Sequence, residues 1–182
     1  MAVTFGEDAL SEEKIAAVLS HVEQSKKNFA WGSNYHLWSP TLIIPNGAVL
    51  TYLLPDAMMD ELFSELVARE KLSYRPNSRI IMFYVWLPGA AITWHSDYTD
   101  KNSMTIYLSR DWDPNYGGYF CWRDWDDTLR RHDYSAPPVE SRMRMPVFNN
   151  YVYMTDAEWH TTTITAANAP PRLSLQMFFE KE

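Results

Sequence analysis

The stretch RIIMFYVWLPGAAITWHSD, Arg79 to Asp97, decides how this chain is read. Arg79–Leu87 is β-branched and aromatic, the composition that fits a pleated, half-buried strand. Pro88-Gly89 supplies a turn, and Ala91–His95 reads as the strand that follows it. Alternate side chains of a strand share a face. His95 and Asp97 therefore point the same way and can chelate one ion, while Trp94 and Ser96 point away, which predicts Trp94 as a core residue.

The strand texture continues downstream. Ser103–Ser109, Tyr119–Arg123, Pro146–Met154, Thr161–Ala166 and Arg172–Phe179 read as further strands, with Gly117-Gly118 leading into the second of them. The polar stretch from Asp124 to Arg144, which contains Pro137-Pro138, reads as a surface loop or flap. Upstream the period changes. Ser11 is placed to cap a helix, and Ile15, Val18, Leu19 and Val22 recur at helical spacing behind it. A second helix starts near Pro55-Asp56 with Met59, Leu62, Phe63, Leu66 and Val67 as its buried stripe. Residues 31–51 between them read as loop with short strands around Leu42–Ile44 and Val49–Leu53. Helices first and many short strands after them predict a mainly β fold, an antiparallel sandwich or barrel with a helical buttress. The expected organisation is one domain over 1–182, with 1–78 mostly helical support and 79–182 the β core.

Composition narrows the function. Hydrophobic residues at 46% and charged residues at 21% are ordinary for a globular chain, whereas 15% aromatics is high and fits either a compact sheet core or an aromatic-lined cavity. A formal net charge of −7 without any Lys/Arg-rich block argues against nucleic acid as a partner. The single Cys121 excludes an internal disulfide framework and a Cys-based zinc site. Nothing near Met1 reads as a signal peptide and no apolar run is long enough to span a bilayer, so the expected location is cytoplasmic, with no membrane partner.

Two features carry chemistry. His160, ahead of Thr161-Thr162-Thr163-Ile164, can add a third ligand to His95 and Asp97. Two histidines and one carboxylate on one face of a metal, with the other face open, make the facial triad of non-heme Fe(II) oxygenases. The bland reading of His95 alone is a strand-end histidine bonded to a neighbour. A structural zinc is the rival for the set, but it normally takes four protein ligands, often Cys. His21, His36 and His132 read as solvated or loosely packed, although Tyr35 and Trp38 lie near His36. The second feature is Arg172 in a strand otherwise built of Leu173, Leu175, Met177 and Phe178. An unpaired charge is costly there, so an anionic partner is expected, either a ligand carboxylate or a structural Asp or Glu. Ser174 faces the same side and can donate a further hydrogen bond.

His95-x-Asp97, His160 and Arg172-x-Ser174, in that order and spacing, resemble the Fe(II)/2-oxoglutarate-dependent dioxygenases, in their prolyl-hydroxylase-like branch. Met104-Thr105-Ile106-Tyr107-Leu108-Ser109, then Trp112, then Gly117-Gly118, is similar to the family's segment after the metal pair, and Pro146-x-Phe148-Asn149 to its Pro-containing strand. The resemblance covers Arg79 to Phe179 and implies a double-stranded β-helix (jelly-roll, cupin-like). It implies Fe(II) held by His95, Asp97 and His160, and the distal carboxylate of 2-oxoglutarate held by Arg172. Tyr107 stands where some members place a second donor to that carboxylate, with a sheet-core tyrosine as the alternative, and Tyr84 is the nearest match to a tyrosine before the first histidine.

By the same resemblance, 2-oxoglutarate and O2 are cosubstrates, ascorbate is a stimulant, and succinate is formed as a C–H bond is hydroxylated. Halogenases of this kind have a small residue where Asp97 stands, so hydroxylation is favoured over halogenation; desaturation, epoxidation and ring formation stay open. Trp86 and Tyr98 beside the metal pair, and Trp122 and Arg123 on a later strand, are candidates to shape the substrate pocket, Arg123 having the alternative of a surface salt bridge to Asp124 or Asp126. The expected substrate is a small metabolite such as an amino acid derivative. Alternatives are a prolyl residue of a peptide or protein, and a non-catalytic β-barrel binding module. Oligomeric state is not legible in the sequence.

Overall fold

The computed structural model describes residues 3–26, 32–33, 48–97, 101–123, 141–155 and 158–180. Eleven strands and two α-helices are described: β1 (Val3–Gly6), α1 (Glu12–Ser25), β2 (Gly32–Ser33), β3 (Val49–Leu53), α2 (Asp56–Ala68), β4 (Arg79–Trp86), β5 (Ile92–His95), β6 (Lys101–Tyr107), β7 (Phe120–Trp122), β8 (Arg142–Arg144), β9 (Tyr151–Met154), β10 (His160–Thr162) and β11 (Arg172–Glu180). They form a major sheet in the order β1-β9-β6-β11-β4-β3-β2 and a minor sheet in the order β5-β10-β7-β8.

Both helices cover one face of the major sheet. Ser11 caps α1 by accepting from Lys14 N, and Ile15, Val18 and Val22 are buried along its inner side. Met59, Leu62, Phe63 and Leu66 are the buried stripe of α2, with Val67 and Leu19 packed at the margins. These residues meet Ile81, Phe83, Met104, Ile106, Leu175, Met177 and Phe179 in one continuous core. The opposite face of the major sheet meets the minor sheet. Val3, Tyr107, Val152 and Met154 pack there against Phe120 and Trp122, and Val49, Tyr84 and Trp86 against Ala90 and Ile92. Between those two clusters the layers leave a cleft.

Several sequence expectations need correcting. The strand expected over Val49–Leu53 is β3, paired with β4, but the region read as mostly helical support also contributes a strand that was not expected, β1, paired with β9. Four residues, Val-Thr-Phe-Gly, are too few to show alternation, and the strand that pairs with them lies at the other end of the chain. Arg142–Arg144 is not loop but a strand of the minor sheet, paired with β7 and at the edge among the described residues, with its side chains exposed. The strand expected over Pro146–Met154 begins only at Tyr151, since Asn149 takes a positive φ of 59° in a turn and its amide bridges the backbone of Leu10. The strand expected over Thr161–Ala166 runs from His160 to Thr162, with Thr165 making an isolated bridge to Gly117. Leu42–Ile44 and His36 lie outside the described residues, as do 124–140 with His132.

Candidate active site

The metal-ligand candidates sit on the minor sheet, where a bulge aims them. Across β5 and β10, His160 pairs with His95, yet Thr162 pairs with Ile92, so β5 carries one extra residue between the two pairs. Such an insertion bends its strand and re-aims a side chain. Here it brings Ile92 and His95, three residues apart, to the same cleft. It also corrects Trp94, which is half-buried and not in the core, because the bulge displaces the face on which strict alternation would have packed it.

Both imidazoles are oriented by main-chain carbonyls. His95 Nδ1 lies 2.8 Å from Thr93 O, and His160 Nδ1 lies 2.8 Å from Glu158 O. A ring that donates from Nδ1 to a carbonyl presents the lone pair of Nε2. Those Nε2 atoms lie 3.7 Å from Asp97 Oδ1 and 3.7 Å from Asp97 Oδ2 respectively, and one ligand atom from each of the three residues falls within 4.8 Å of the others. Burial first, then the neighbouring His160, push His95 down to about 4 against the opposing pull of Asp97. At neutral pH it is therefore an uncharged ligand. Asp97 Oδ2 is buried without a hydrogen bond. Two imidazole Nε2 atoms and one carboxylate with an unsatisfied oxygen fit a divalent metal such as Fe(II).

Facing the triad across the cleft, β11 presents Arg172, which is 2% exposed. Its Nη1 donates to Gly118 O at 2.6 Å, and its guanidinium carbon lies 4.5 Å from the Trp86 ring centroid and 5.8 Å from that of Tyr107. Its Nε is buried with no hydrogen-bond partner, and no Asp or Glu pairs with it among the described residues. Burial lowers its pKa to about 10, partly offset by the Tyr107 phenol, whose own pKa burial pushes up to about 12. The pair is thus a cation and a neutral hydroxyl at pH 7. Ser174 pairs in register with both Tyr84 and Tyr107, and all three line the cleft with Arg172, the Tyr84 hydroxyl donating to Met82 Sδ at 3.8 Å. That group fits a carboxylate.

The Gly-Gly segment makes this cradle possible. Gly118 has φ +67°, and a Cβ there would stand 3.3 Å from Arg172 Cδ and 3.1 Å from Thr165 Cγ2. Gly117, at φ +68°, has even less room, with Ile164 O 2.3 Å from where its Cβ would be. Trp112 Nε1 donates to Gly117 O at 3.0 Å and locks the turn.

No protein-family model matches this chain, and no curated protein sequence does. Solved structures do. A prolyl-4-hydroxylase of Pseudomonas putida superposes with a TM-score of 0.68 at 16% identity, covering 99% of this chain and 93% of that one. A prolyl hydroxylase of Trichoplax adhaerens, in complex with a peptide fragment of the hypoxia inducible factor oxygen degradation domain, gives 0.69 at 13%, covering 98% and 83%. HygX of Streptomyces hygroscopicus, with nickel and 2-oxoglutarate bound, gives 0.66 at 10%, covering 98% and 82%. The fold is a double-stranded β-helix.

Within this double-stranded β-helix the cleft holds about 510 Å³ of space, part of it open to solvent. Of the candidates from sequence, His95, Asp97, His160, Arg172, Ser174, Tyr107, Tyr84 and Trp86 all line it. Trp122 does not. It is buried in the cluster with Phe5 and Phe120, ring centroids at 4.7 and 5.7 Å, because β7 turns its side chain to the β1 end of the layers. Arg123 is half-buried over the Trp159 ring at 5.4 Å and is also absent from the lining. Tyr98 lies outside the described residues. The sequence reading missed Phe120, which stacks on His160 at 5.5 Å, and Thr105 and Gln176, which share a hydrogen bond in the cleft. Gln176 could have been found by extending the alternation Arg172, Ser174 by one step.

Proposed function

We propose that this chain is an Fe(II)- and 2-oxoglutarate-dependent oxygenase that hydroxylates an unactivated C–H bond of a small metabolite such as an amino acid derivative. One observation carries the reading: three mutually close ligand atoms share a cleft with a buried guanidinium that lacks an acidic partner among the described residues. His95 Nε2, His160 Nε2 and Asp97 would hold the metal. Arg172, with the hydroxyls of Ser174 and Tyr107, would grip the distal carboxylate of 2-oxoglutarate, and Tyr84, which lines the same cleft, would be a further donor on turning its hydroxyl from Met82. The bound metal and cosubstrate supply the oxidising chemistry, in which substrate, O2 and 2-oxoglutarate give hydroxylated substrate, succinate and carbon dioxide.

The chain's own residues do the rest. The carbonyls of Thr93 and Glu158 hold each imidazole at a fixed angle, so metal binding costs little reorganisation. The Trp86 face packs under the guanidinium and keeps water from competing for it. Asp97 occupies the third protein position with a carboxylate, which favours hydroxylation over halogenation. A prolyl residue of a peptide is the second reading, favoured by the likeness to two prolyl hydroxylases, one of them peptide-bound.

The test is aerobic incubation with Fe(II), ascorbate and 2-oxoglutarate, with succinate measured and amino acids and peptides screened by mass for the gain of one oxygen atom. Succinate that requires both iron and Arg172 is the expected result. No turnover with any candidate, coupled or uncoupled, would leave a binding module.

A further inference from the structure

The cleft face of the major sheet continues beyond the residues assigned to metal and cosubstrate. In register it is built of rows. The innermost is Val49, Trp86 and Arg172, and the next is Thr51, Tyr84, Ser174 and Tyr107. All of these are buried. A third row holds Leu53, Met82, Gln176 and Thr105, and a fourth Ile80 and Phe178. Here the face emerges from the cleft: Leu53 is 55% and Ile80 41% exposed, with Met82 and Phe178 half-buried beside them. Large apolar side chains exposed together at the mouth of a cleft mark a contact surface.

Reach separates this shelf from the cosubstrate. Gln176 lies four residues from Arg172 along one strand, roughly 13 Å at strand spacing. A five-carbon diacid gripped at Arg172 is too short to reach that row. Gln176 is nonetheless aimed. Its Oε1 accepts from the Thr105 hydroxyl, which fixes the amide plane and leaves Nε2 with no hydrogen-bond partner among the described residues. The shelf therefore offers one oriented donor in an apolar frame. Its rows carry no charged residue; the next step outward places Lys101 opposite Glu180, of opposite sign.

We propose that this shelf seats the substrate and selects an uncharged aliphatic group bearing a carbonyl, namely an amino acid residue blocked as an amide at both ends and not a free amino acid. The apolar side chains hold the carbon skeleton whose C–H bond is to be oxidised, and Gln176 Nε2 donates to the carbonyl. A zwitterion placed there would find no counter-charge in the rows, and the charge facing the buried rows would lose water without replacement. The proposal rests on the oxygenase reading for the reaction, but the binding it describes is read separately.

The test is a methyl NMR titration, since Leu53, Ile80 and Met82 are themselves the reporters. Protein loaded with Zn(II) and 2-oxoglutarate is titrated with N-acetyl-L-leucinamide and N-acetyl-L-prolinamide, and in parallel with free L-leucine and L-proline. The blocked compounds should shift the three methyl signals saturably and bind about tenfold or more tightly than the free amino acids. Gln176→Leu should weaken that binding about tenfold, with 2-oxoglutarate affinity held within about twofold. Thr105→Val, which frees the amide to rotate, should show a smaller loss of about threefold. Equal binding of free and blocked compounds, or shelf methyls that do not respond, overturns the proposal. The same titration without metal or 2-oxoglutarate reads the shelf alone, so failure of 2-oxoglutarate to bind would sink the oxygenase reading and leave this result standing on its own.

Discussion

The two faces of the major sheet are made by the same strands and do opposite things. Along β11, Leu175, Met177 and Phe179 point to the helices and are at most 1% exposed. Arg172, Ser174 and Gln176, the residues between, point to the cleft. One face is sealed by apolar packing, and the other holds a guanidinium, hydroxyls and an amide. The pKa of Arg172, lowered to about 10, corresponds to a destabilisation on the order of 3 kcal/mol. The sign follows from a base whose folded pKa is depressed. The penalty is complete below about pH 10 and is relieved as pH rises above that. The helix-side core carries that cost, and an anion in the cradle would reduce it.

The sharpest way to break the contrast is His160→Ala. It removes one of three ligand atoms, so iron-dependent succinate formation should fall below detection while the circular dichroism melt changes little; retained activity would strike His160 from the ligand set. Next in size is Arg172→Met, which keeps the stem and deletes the charge. Its 2-oxoglutarate affinity, measured by calorimetry, should drop about a hundredfold. Without cosubstrate its Tm should equal or exceed that of the parent, because the buried cation is gone.

On the other face, Leu175→Ala should cost about 2–5 kcal/mol in denaturant unfolding. Turnover per folded molecule should stay within about twofold, and a larger loss would show that the faces are not separable. Gly118→Ala should have the smallest effect. The tight fit against Arg172 and Thr165 and the positive φ predict a loss of about 1–2 kcal/mol, seen both in stability and as a modestly raised Kd for 2-oxoglutarate.

What could be read from the sequence follows the same division. Arg172 stood out because a lone charge in an apolar strand demands a reason, and Ser174 followed by alternation. His95 and Asp97 were legible as a pair for the same cause. The α1 cap and the α2 stripe were local signals, and the structure carries them unchanged. Features set by two strands at once were hidden. The β5 bulge exists only as a mismatch of count against β10, so it cannot be seen in Ala91–His95 alone, and Trp94 was misplaced with it. β1 and β8, of four and three residues, are too short to carry a period. Trp122 was misjudged because a place on a later strand says nothing about which end of a layer its ring joins.

The ligand triad belongs to the small sheet and the guanidinium to the large one. A diacid that reached from one to the other would be a tie rod between layers that also pack through two side-chain clusters. Under the proposed reading, cosubstrate bound across both sheets would stabilise the folded jelly roll by mass action, so supply of that metabolite would act on stability as well as on chemistry.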